Sequence, residues 1–413
     1  MYSRLIRKQS ETFTYNEEDA KKYGMKFDEH YFGTSGPVQR TVPRSIDVVA
    51  LPWIKAFEEE LKIKINPDPN GGDNTGVYVN TKTLDGRSIR SSSASAYYEP
   101  NQSRFNLKVI SNALATRVIT SGTGPVIATG VEFLKDDTLQ VDHPCALYTA
   151  KLKEGHDSYE SLSEDQEFFK IQEEMFKENG TGMLVSSGIP TAAAFVSFKD
   201  LDKDGTISQS VESLILPDTP SFKTQKEWVK NENVAFVEFN TLDKYPGTLG
   251  SPEHGARYQT SGILLMHSFD RGSVHIKSTD PAAPPEIEPN VLSNETDLKI
   301  LIRGFEILRT IHKSKALESY VDHEVLPGEH VEGEEALAEF IRKRLFMAFH
   351  PIGTASMLPL EDRGCVDSRL KVYGTTNLRV VDASILPLHL STHLQATLYA
   401  FAEKAADIIK SGA

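Results

Sequence analysis

Two histidines in the last quarter of the chain occupy positions suited to proton-transfer chemistry. His350 lies in AFHPIGTASM, where an apolar helical pattern gives way to a proline and a glycine, and His393 lies at the first turn of the last helical pattern. An imidazole titrates near neutral pH, so it can take up or release a proton during a reaction. A histidine at the end of an element is more often structural or exposed, and the residues alone leave both interpretations open.

The elements that must position this pair are predicted from hydrophobic spacing. A helix is predicted from Gly333 to just before His350, and LRVVD (378–382) predicts a short buried strand. Thr392-x-x-Gln395 is typical of a helix cap. The apolar stripe of the helix that follows contains Leu394, Leu398, Phe401, Ala402, Ala405 and Ile409. Both histidines are therefore expected where the backbone changes direction.

The rest of the chain predicts a mixture of helices and strands. Trp53, Phe57 and Leu61 share one face of a predicted helix over 52–61. The segments NLKVISNALATRVI and GPVIATGVEFL alternate apolar and polar residues and predict strands, and a long helical pattern begins near Glu295. At 413 residues the chain exceeds the roughly 100 to 200 residues of one domain, so two interleaved domains are expected.

Composition and charge exclude several classes of protein. The chain has 45 Lys and Arg against 58 Asp and Glu, and its net charge of −13 includes no basic run, so nucleic acid is not an expected partner. No apolar stretch is long enough to span a membrane, which predicts a soluble protein without a membrane partner. Two cysteines, Cys145 and Cys365, cannot build a disulfide framework or a cysteine-based zinc site, although a single bridge stays open.

No metal site is expected from the histidine spacings. His389 and His393 are four residues apart, but the predicted start of the last helix falls between them. His267 and His275 are close enough in sequence to face each other across a hairpin, yet no third ligand is evident, and cross-strand packing is the simpler interpretation.

Several segments together resemble one enzyme family. FHPIGTASM, GCVDSRLKVYGTTNLRVVDASILP and STHLQATLYAFAEKAADIIK resemble the C-terminal signature of glucose-methanol-choline (GMC) flavoprotein oxidoreductases. The resemblance extends upstream through FGTSGPVQ, DPNGGDNTGV, RSSSASAYYEP, NLKVISNALATRV and RGSVHIKSTDP, so it covers nearly the whole chain. Members similar to aryl-alcohol oxidases resemble it most.

The resemblance implies an α+β fold with two parts. Residues 1–100 and 144–345 are expected to form the family's substrate domain, built on a mostly antiparallel sheet. Residues 101–143 and 346–413 are expected to form an incomplete remnant of the FAD-binding domain. The strands near 107–118 and 378–381 should then lie close together.

The resemblance also implies roles for individual residues. His350 matches the family's catalytic base, which takes the hydroxyl proton while a hydride leaves the carbinol carbon for flavin N5, and His393 matches the partner that positions the oxygen. Phe349 matches an aromatic gate of the substrate pocket. The positions that match cofactor-binding residues are Asp382, Ala383, Gln395 and Ala396. For Asp382, a turn cap after a strand is an equally good interpretation.

Two departures from the family pattern concern the cofactor. The sequence begins after the strand, GxGxxG turn and helix that hold the FAD pyrophosphate in such enzymes. The near-match beginning at Gly122 lacks a third glycine, and only residues 134–141 join Phe133 to Asp142, where members carry a second FAD signature. FAD binding by this chain is therefore expected to be weak or absent.

The sequence thus predicts a GMC-family homologue that transfers hydride from a primary or aryl alcohol to flavin with a histidine base. An FAD-free truncated homologue that acts as a binding protein or in non-redox acid–base chemistry is the alternative. A third interpretation is that the sequence is one portion of a longer product that carries the missing segments. An incomplete flavin domain leaves unpaired strand edges and apolar faces, which implies a partner chain or an oligomer that covers them.

Overall fold

The computed structural model describes residues 9–111, 113–122, 125–134, 144–247 and 250–412. The β-strands, in chain order, are β1 (Glu11–Phe13), β2 (Val38–Arg40), β3 (Gly76–Val79), β4 (Leu114–Ser121), β5 (Ile127–Leu134), β6 (Pro144–Leu152), β7 (Ala192–Ser197), β8 (Ala235–Leu242), β9 (Tyr258–Leu265), β10 (Ser273–His275), β11 (Glu286–Glu288), β12 (Val321–Leu326) and β13 (Phe346–Met347). The α-helices are α1 (Glu17–Lys22), α2 (Ala50–Leu61), α3 (Tyr159–Glu164), α4 (Gln166–Asn179), α5 (Met183–Ser186), α6 (Phe198–Leu201), α7 (Thr206–Ser213), α8 (Pro220–Val229), α9 (Glu295–His312), α10 (Gly333–Arg344) and α11 (Gln395–Lys410).

The centre of the molecule is a seven-stranded antiparallel sheet. Its strands follow the order β12-β6-β9-β8-β7-β3, and the short β13 also pairs with β6. Each of these strands pairs with its neighbours in antiparallel register, so successive side chains alternate between the two faces. The two faces of this sheet have different surroundings.

One face of the sheet is covered by α2 and α9. Trp53 of α2 is fully buried, and its Nε1 donates a hydrogen bond to Ser261 Oγ at 3.2 Å. The ring of Phe57 lies 5.4 Å from that of Phe239 on β8. α9 packs beside α2 and adds the buried Phe305 to the same core. Burial of each such side chain contributes about 1.5–3 kcal/mol, so this face holds the main core.

The other face of the sheet carries a smaller apolar cluster. Phe195 on β7, Glu238 on β8 and Leu264 on β9 are direct cross-strand neighbours, so their side chains share this face. Tyr78 on β3 stacks on Phe195 with ring centroids 5.8 Å apart and planes 4° from parallel. Glu238 is thus a charged residue set among apolar and aromatic side chains, and it is 1% exposed.

The C-terminal segment contacts the hairpin formed by β4 and β5. The Val126 N–H donates to the Gly374 carbonyl at 2.9 Å, and the Asn377 side-chain amide bonds both the N–H and the carbonyl of Ala128 at 2.8 Å. α11 rests on a small core of its own. The fully buried members of that core are Val366, Leu370, Ile385 and Ala405.

The mixed helix and strand content and the largely antiparallel sheet confirm the expected α+β fold. The predicted helix over 52–61 is α2, which begins two residues earlier, and the two predicted strands correspond to β4 and β5. The strand prediction for LRVVD is wrong. Residues 378–382 make a single bridge, between Arg379 and Lys371, because no described strand lies alongside to continue the pairing.

The proposed domain boundaries stay a prediction. The β4–β5 hairpin contacts residues 374–377 through Val126 and Ala128, which lie outside the two stretches whose proximity was expected, 107–118 and 378–381, so that proximity also stays a prediction. Most of the short connection between Phe133 and Asp142, and residues 123–124 of the glycine motif that begins at Gly122, lie outside the described residues.

Candidate active site

A cleft of about 1110 Å³ lies against the second face of the sheet and the start of α11. Tyr78 and Phe195 contribute to its wall. Most of the residues assigned from the sequence line it, namely Phe349, His350, Ala383, His393, Gln395 and Ala396. The structure therefore brings together residues that are far apart in the chain.

The two histidines are in direct contact. His350 Nε2 and His393 Nδ1 are 3.2 Å apart, and the ring planes meet at 81°. His350 follows β13, whose pairing with the start of β6 fixes the approach of the chain, and His393 immediately precedes α11. One hydrogen bond shared between the two rings fits this geometry.

A buried carboxylate on β8 orients His393. Both Glu238 oxygens lie 2.9 Å from His393 Nε2, and Asn240 Nδ2 donates to Glu238 Oε1 at 3.3 Å. Because the carboxylate accepts at Nε2, that nitrogen carries a proton and Nδ1 faces His350. The arrangement is a relay from Glu238 through His393 to His350.

The electrostatic surroundings give the two histidines different protonation states. Burial, aided by the positive charge of His393, lowers the pKa of His350 to about 4, although the more distant Glu238 carboxylate opposes this. The Glu238 carboxylate raises the pKa of His393 above its usual value, while burial and the charge of Lys82 oppose the increase. At neutral pH His350 is therefore a neutral imidazole that can accept a proton.

Phe349 lies at the surface of the cleft with an unusual backbone. The residue is 73% exposed and its φ is 59°, in the left-handed region that bulky residues avoid. This turn directs the chain from β13 into the His350 segment. The position at the cleft agrees with the predicted substrate-pocket residue, and the gate role stays a prediction.

The start of α11 forms part of the cleft wall. The N-cap residue is Leu394, and no side chain caps the helix. The capping prediction for Thr392 and Gln395 is thus wrong, because Gln395 Oε1 accepts a hydrogen bond from Thr83 at 3.0 Å instead, while Thr392 Oγ1 bonds the His393 carbonyl. The first N–H groups of α11 remain available to a ligand.

Asp382 behaves as a turn cap in this structure. Its Oδ1 accepts a hydrogen bond from the Ser384 N–H at 2.8 Å and begins the short 3-10 turn at 383–385. Asp382 is exposed and does not line the cleft, whereas its neighbour Ala383 does. Its assignment to the cofactor stays a prediction.

The cleft fits one half of an FAD molecule better than the other. For the isoalloxazine ring it offers an uncapped helix N-terminus, Ala383 and the histidine pair. For the pyrophosphate, none of the described lining residues belongs to a glycine-rich turn that opens a helix, which is the usual phosphate cradle. The residues present therefore fit the flavin ring, and the described lining residues include no such cradle for the phosphates.

Sequence reasoning missed four charged residues of this site, Glu238 and the cations Arg40, Lys82 and Arg90. Glu238 was overlooked because it lies mid-strand, although an acid inside AFVEF is itself a signal, since strands buried on both faces rarely contain one. The three cations line the cleft. Nothing in their local pattern distinguishes them from ordinary surface cations.

The remaining histidines lie elsewhere. His267 is buried with Nε2 2.8 Å from Ser391 Oγ, and burial lowers its pKa to about 4. His275 is exposed on β10, which pairs with β11, whereas His267 lies in the turn after β9, so the predicted cross-strand packing of these two histidines is wrong. Across the described ranges, no group of three or more His, Cys, Asp or Glu is arranged to hold a metal ion, and no helix is long and apolar enough to cross a membrane.

Comparison of folds shows where similar architectures occur. An FAD-dependent oxidoreductase from Chaetomium thermophilum matches with a TM-score of 0.84 at 21% identity, over 99% of this chain and 80% of that one. A fungal aryl-alcohol oxidase matches with a TM-score of 0.82 at 22% identity, over 99% and 79%. A formate oxidase of Aspergillus oryzae matches at 0.76 with 19% identity, over 100% and 78%. At these identities the likeness is one of fold.

Comparison of sequences gives the family. Residues 268–402 match the C-terminal family model described as GMC oxidoreductase. The glucose oxidase-like protein fsoC of Humicola fuscoatra is 28% identical over 98% of this chain and 75% of its own length. The GMC oxidoreductase family protein Mala s 12 of Malassezia sympodialis is 30% identical over 91% of this chain and 68% of its own length. The chain belongs to the GMC oxidoreductase family.

Proposed function

We propose that this chain oxidises a primary or aryl alcohol, with His350 as the base and FAD as the hydride acceptor. One observation carries the proposal: a neutral His350 is held 3.2 Å from His393, which is bound in turn to the buried Glu238, and both histidines line the same cleft. Membership of the family supports the reaction class, and the aryl-alcohol oxidase fold neighbour supports the alcohol.

In the proposed reaction, His350 removes the hydroxyl proton of the substrate. Its lowered pKa, about 4, leaves the imidazole free to accept that proton at neutral pH. The O–H electron pair forms the carbonyl bond of the aldehyde product as the carbinol C–H pair leaves as hydride. Bound FAD, held at the ring side by the start of α11 and Ala383, would supply flavin N5 as the hydride acceptor.

His393 holds the substrate oxygen during this step. Glu238 favours the protonated ring. When a substrate hydroxyl replaces the direct hydrogen bond between the two rings, its oxygen accepts a hydrogen bond from His393 Nδ1 while it gives its proton to His350 Nε2. Negative charge develops on that oxygen as the O–H bond breaks, and a cationic donor stabilises it most at that point. His393 thus contributes orientation and charge, and His350 contributes the base.

We further propose that FAD binds this chain weakly. The start of α11 and Ala383 fit the ring, but no glycine turn among the described lining residues compensates the desolvation of the phosphates. Ring contacts alone then set the affinity.

The test is a titration of purified protein with FAD, followed by benzyl alcohol. We expect the flavin absorbance to bleach on addition of the alcohol, and we expect His350→Asn to abolish bleaching while it binds FAD as well as the wild type does. The control His254→Asn removes an exposed histidine and should change nothing. Bleaching that persists in His350→Asn contradicts the assignment of the base.

The same titration examines the FAD-free alternative. The lack of a phosphate cradle among the described lining residues favours that alternative, in which the cleft binds a ligand or performs proton transfer without redox chemistry. No saturation at high micromolar FAD, together with binding of aryl alcohols by the protein alone, would establish it in place of the oxidoreductase.

A further inference from the structure

The cleft is electropositive although the chain as a whole is acidic. The net charge of the chain is −13, yet the described residues that line the cleft include three cationic side chains, Arg40, Lys82 and Arg90, and no Asp or Glu. A positively charged cleft in a negatively charged protein favours an anionic ligand at the cleft, because the negative charges elsewhere on the surface repel it.

Two of the three cations form no direct ion pair with a carboxylate of the described residues, although the buried Asp47, outside the cleft lining, interacts electrostatically with Lys82. Arg40 Nη1 donates to Glu11 Oε2 at 2.9 Å, so the charge of Arg40 is balanced. Lys82 Nζ donates to the Pro190 carbonyl, and neither Lys82 nor Arg90 forms an ion pair with any residue in the described ranges. Lys82 is also half-buried, which makes its contacts with a ligand stronger than those of an exposed lysine.

Lys82 lies near the reacting end of the cleft. Its charge reaches His393 and opposes the effect of Glu238 on that ring. The stacked rings of Tyr78 and Phe195 line the same cleft and offer an apolar surface to an aromatic ligand. An arene carrying a hydroxymethyl group and an anionic group would satisfy all three features.

We propose that Lys82, assisted by Arg90, binds a carboxylate of the substrate, so that the chain prefers an anionic primary alcohol to a neutral one. This inference rests on the proposed function for the assignment of the cleft as the substrate site. A carboxylate held by a lysine and an arginine gains charge-assisted hydrogen bonds that an amide of the same shape does not. Lys82 is then a residue that determines specificity.

The experiment compares two probes that differ only in charge. Calorimetric titration of the purified protein at low ionic strength measures the dissociation constants of 4-(hydroxymethyl)benzoate and 4-(hydroxymethyl)benzamide. We expect the benzoate to bind at least about tenfold more tightly. We also expect this preference to fall above about pH 8, because burial lowers the pKa of Lys82 to about 8 despite the opposing charge of Asp47. Equal affinities at neutral pH would overturn the proposal without any variant.

Variants then locate the preference. Lys82→Met, which keeps the length and removes the charge, should abolish it, Lys82→Arg should retain it, and Lys277→Met, at an exposed site outside the cleft, should change nothing. Melting temperatures show whether each variant is folded. A folded Lys82→Met that still prefers the benzoate contradicts the proposal.

A phosphate of the cofactor is the other source of an anion. Titration of Lys82→Met with FAD separates the two, since a loss of FAD affinity with an unchanged benzoate preference would assign Lys82 to the cofactor.

Turnover of the two alcohols is measured separately from binding. If the benzoate binds through Lys82 but neither alcohol is oxidised, the oxidoreductase function fails and the anion site stands. If both are oxidised equally, the function stands and the anion site fails.

Discussion

Two amphipathic helices of similar length, α9 and α11, end up in very different surroundings. Twelve of the 18 residues of α9 are buried, whereas Ala405 is the buried residue among the 16 of α11. α9 lies against the main sheet and contacts α2, α7 and α10, while α11 rests on a small cluster and borders the cleft. A helical stripe therefore specifies which side faces inward, and the neighbouring elements decide how much of it is covered.

The same contrast separates stability from chemistry. The α9 side of the sheet contains the large buried aromatic and aliphatic residues, and the α11 side contains the histidine pair, Ala383 and the cations. Since the free energy of folding gained by burial scales with buried apolar area, most of the stabilisation comes from the α9 side of the sheet. Substitutions on the two sides should thus affect different measurements.

The largest expected effect on stability is that of Phe305→Ala in α9. Phe305 is fully buried and its ring packs edge-on against Phe340 at 5.7 Å, so its removal leaves a cavity and should cost about 3–5 kcal/mol. Phe401→Ala in α11 is the matched variant. Phe401 is only partly buried, and its removal should cost less than about 1.5 kcal/mol. Urea denaturation of both variants measures the difference, and equal costs would contradict the comparison.

Glu238→Gln should act on the reaction far more than on the fold. The amide keeps the shape and the hydrogen bond to His393 but removes the charge that favours its protonated ring. We expect alcohol-dependent flavin reduction to slow by about tenfold to a hundredfold. Single-turnover kinetics measure this rate. If the rate is unchanged while the melting temperature drops sharply, Glu238 is a structural residue only.

The pH dependence of flavin reduction should follow the two histidines in opposite directions. Below about pH 4 His350 becomes protonated and cannot act as the base, so the rate falls as the pH decreases through that value. His393 must keep its proton, so the rate also falls as the pH rises through its raised pKa. Glu238→Gln should move the upper limb to lower pH and leave the lower limb almost in place. Displacement of the lower limb alone would contradict these assignments.

The smallest effect concerns association between copies of the chain. On the flavin-side segments Val109, Ile110 and Val131 are 56% to 62% exposed, which predicts weak self-association of the β4–β5 side. Val131→Lys should lower the apparent mass in light scattering at high concentration. The control Ile215→Lys alters an apolar side chain that is 99% exposed elsewhere and should have no effect. The wild type remaining monomeric at all concentrations would rule out this association.

Features that depend on residues close together in the sequence were predicted correctly, and features that depend on distant residues were not. α2 and the β4–β5 hairpin were predictable because their periodicity is local, and the histidine pair was found because both residues lie at element ends in recognisable motifs. Glu238 was missed because its role depends on a residue 155 positions away. The LRVVD strand failed because a strand needs a neighbour that local pattern does not provide.

The stability of the fold favours a small residue at position 349, whereas the cleft contains an aromatic ring there. The left-handed backbone of Phe349 costs on the order of 1–3 kcal/mol for a residue with a large side chain, and its ring, mostly in water, returns little of that by burial. A glycine there would relax the turn, so evolution for stability alone would discard the phenylalanine. Phe349 therefore lowers the stability of the folded protein. A substitution that stabilised the protein at residue 349 would also remove the aromatic ring from the cleft.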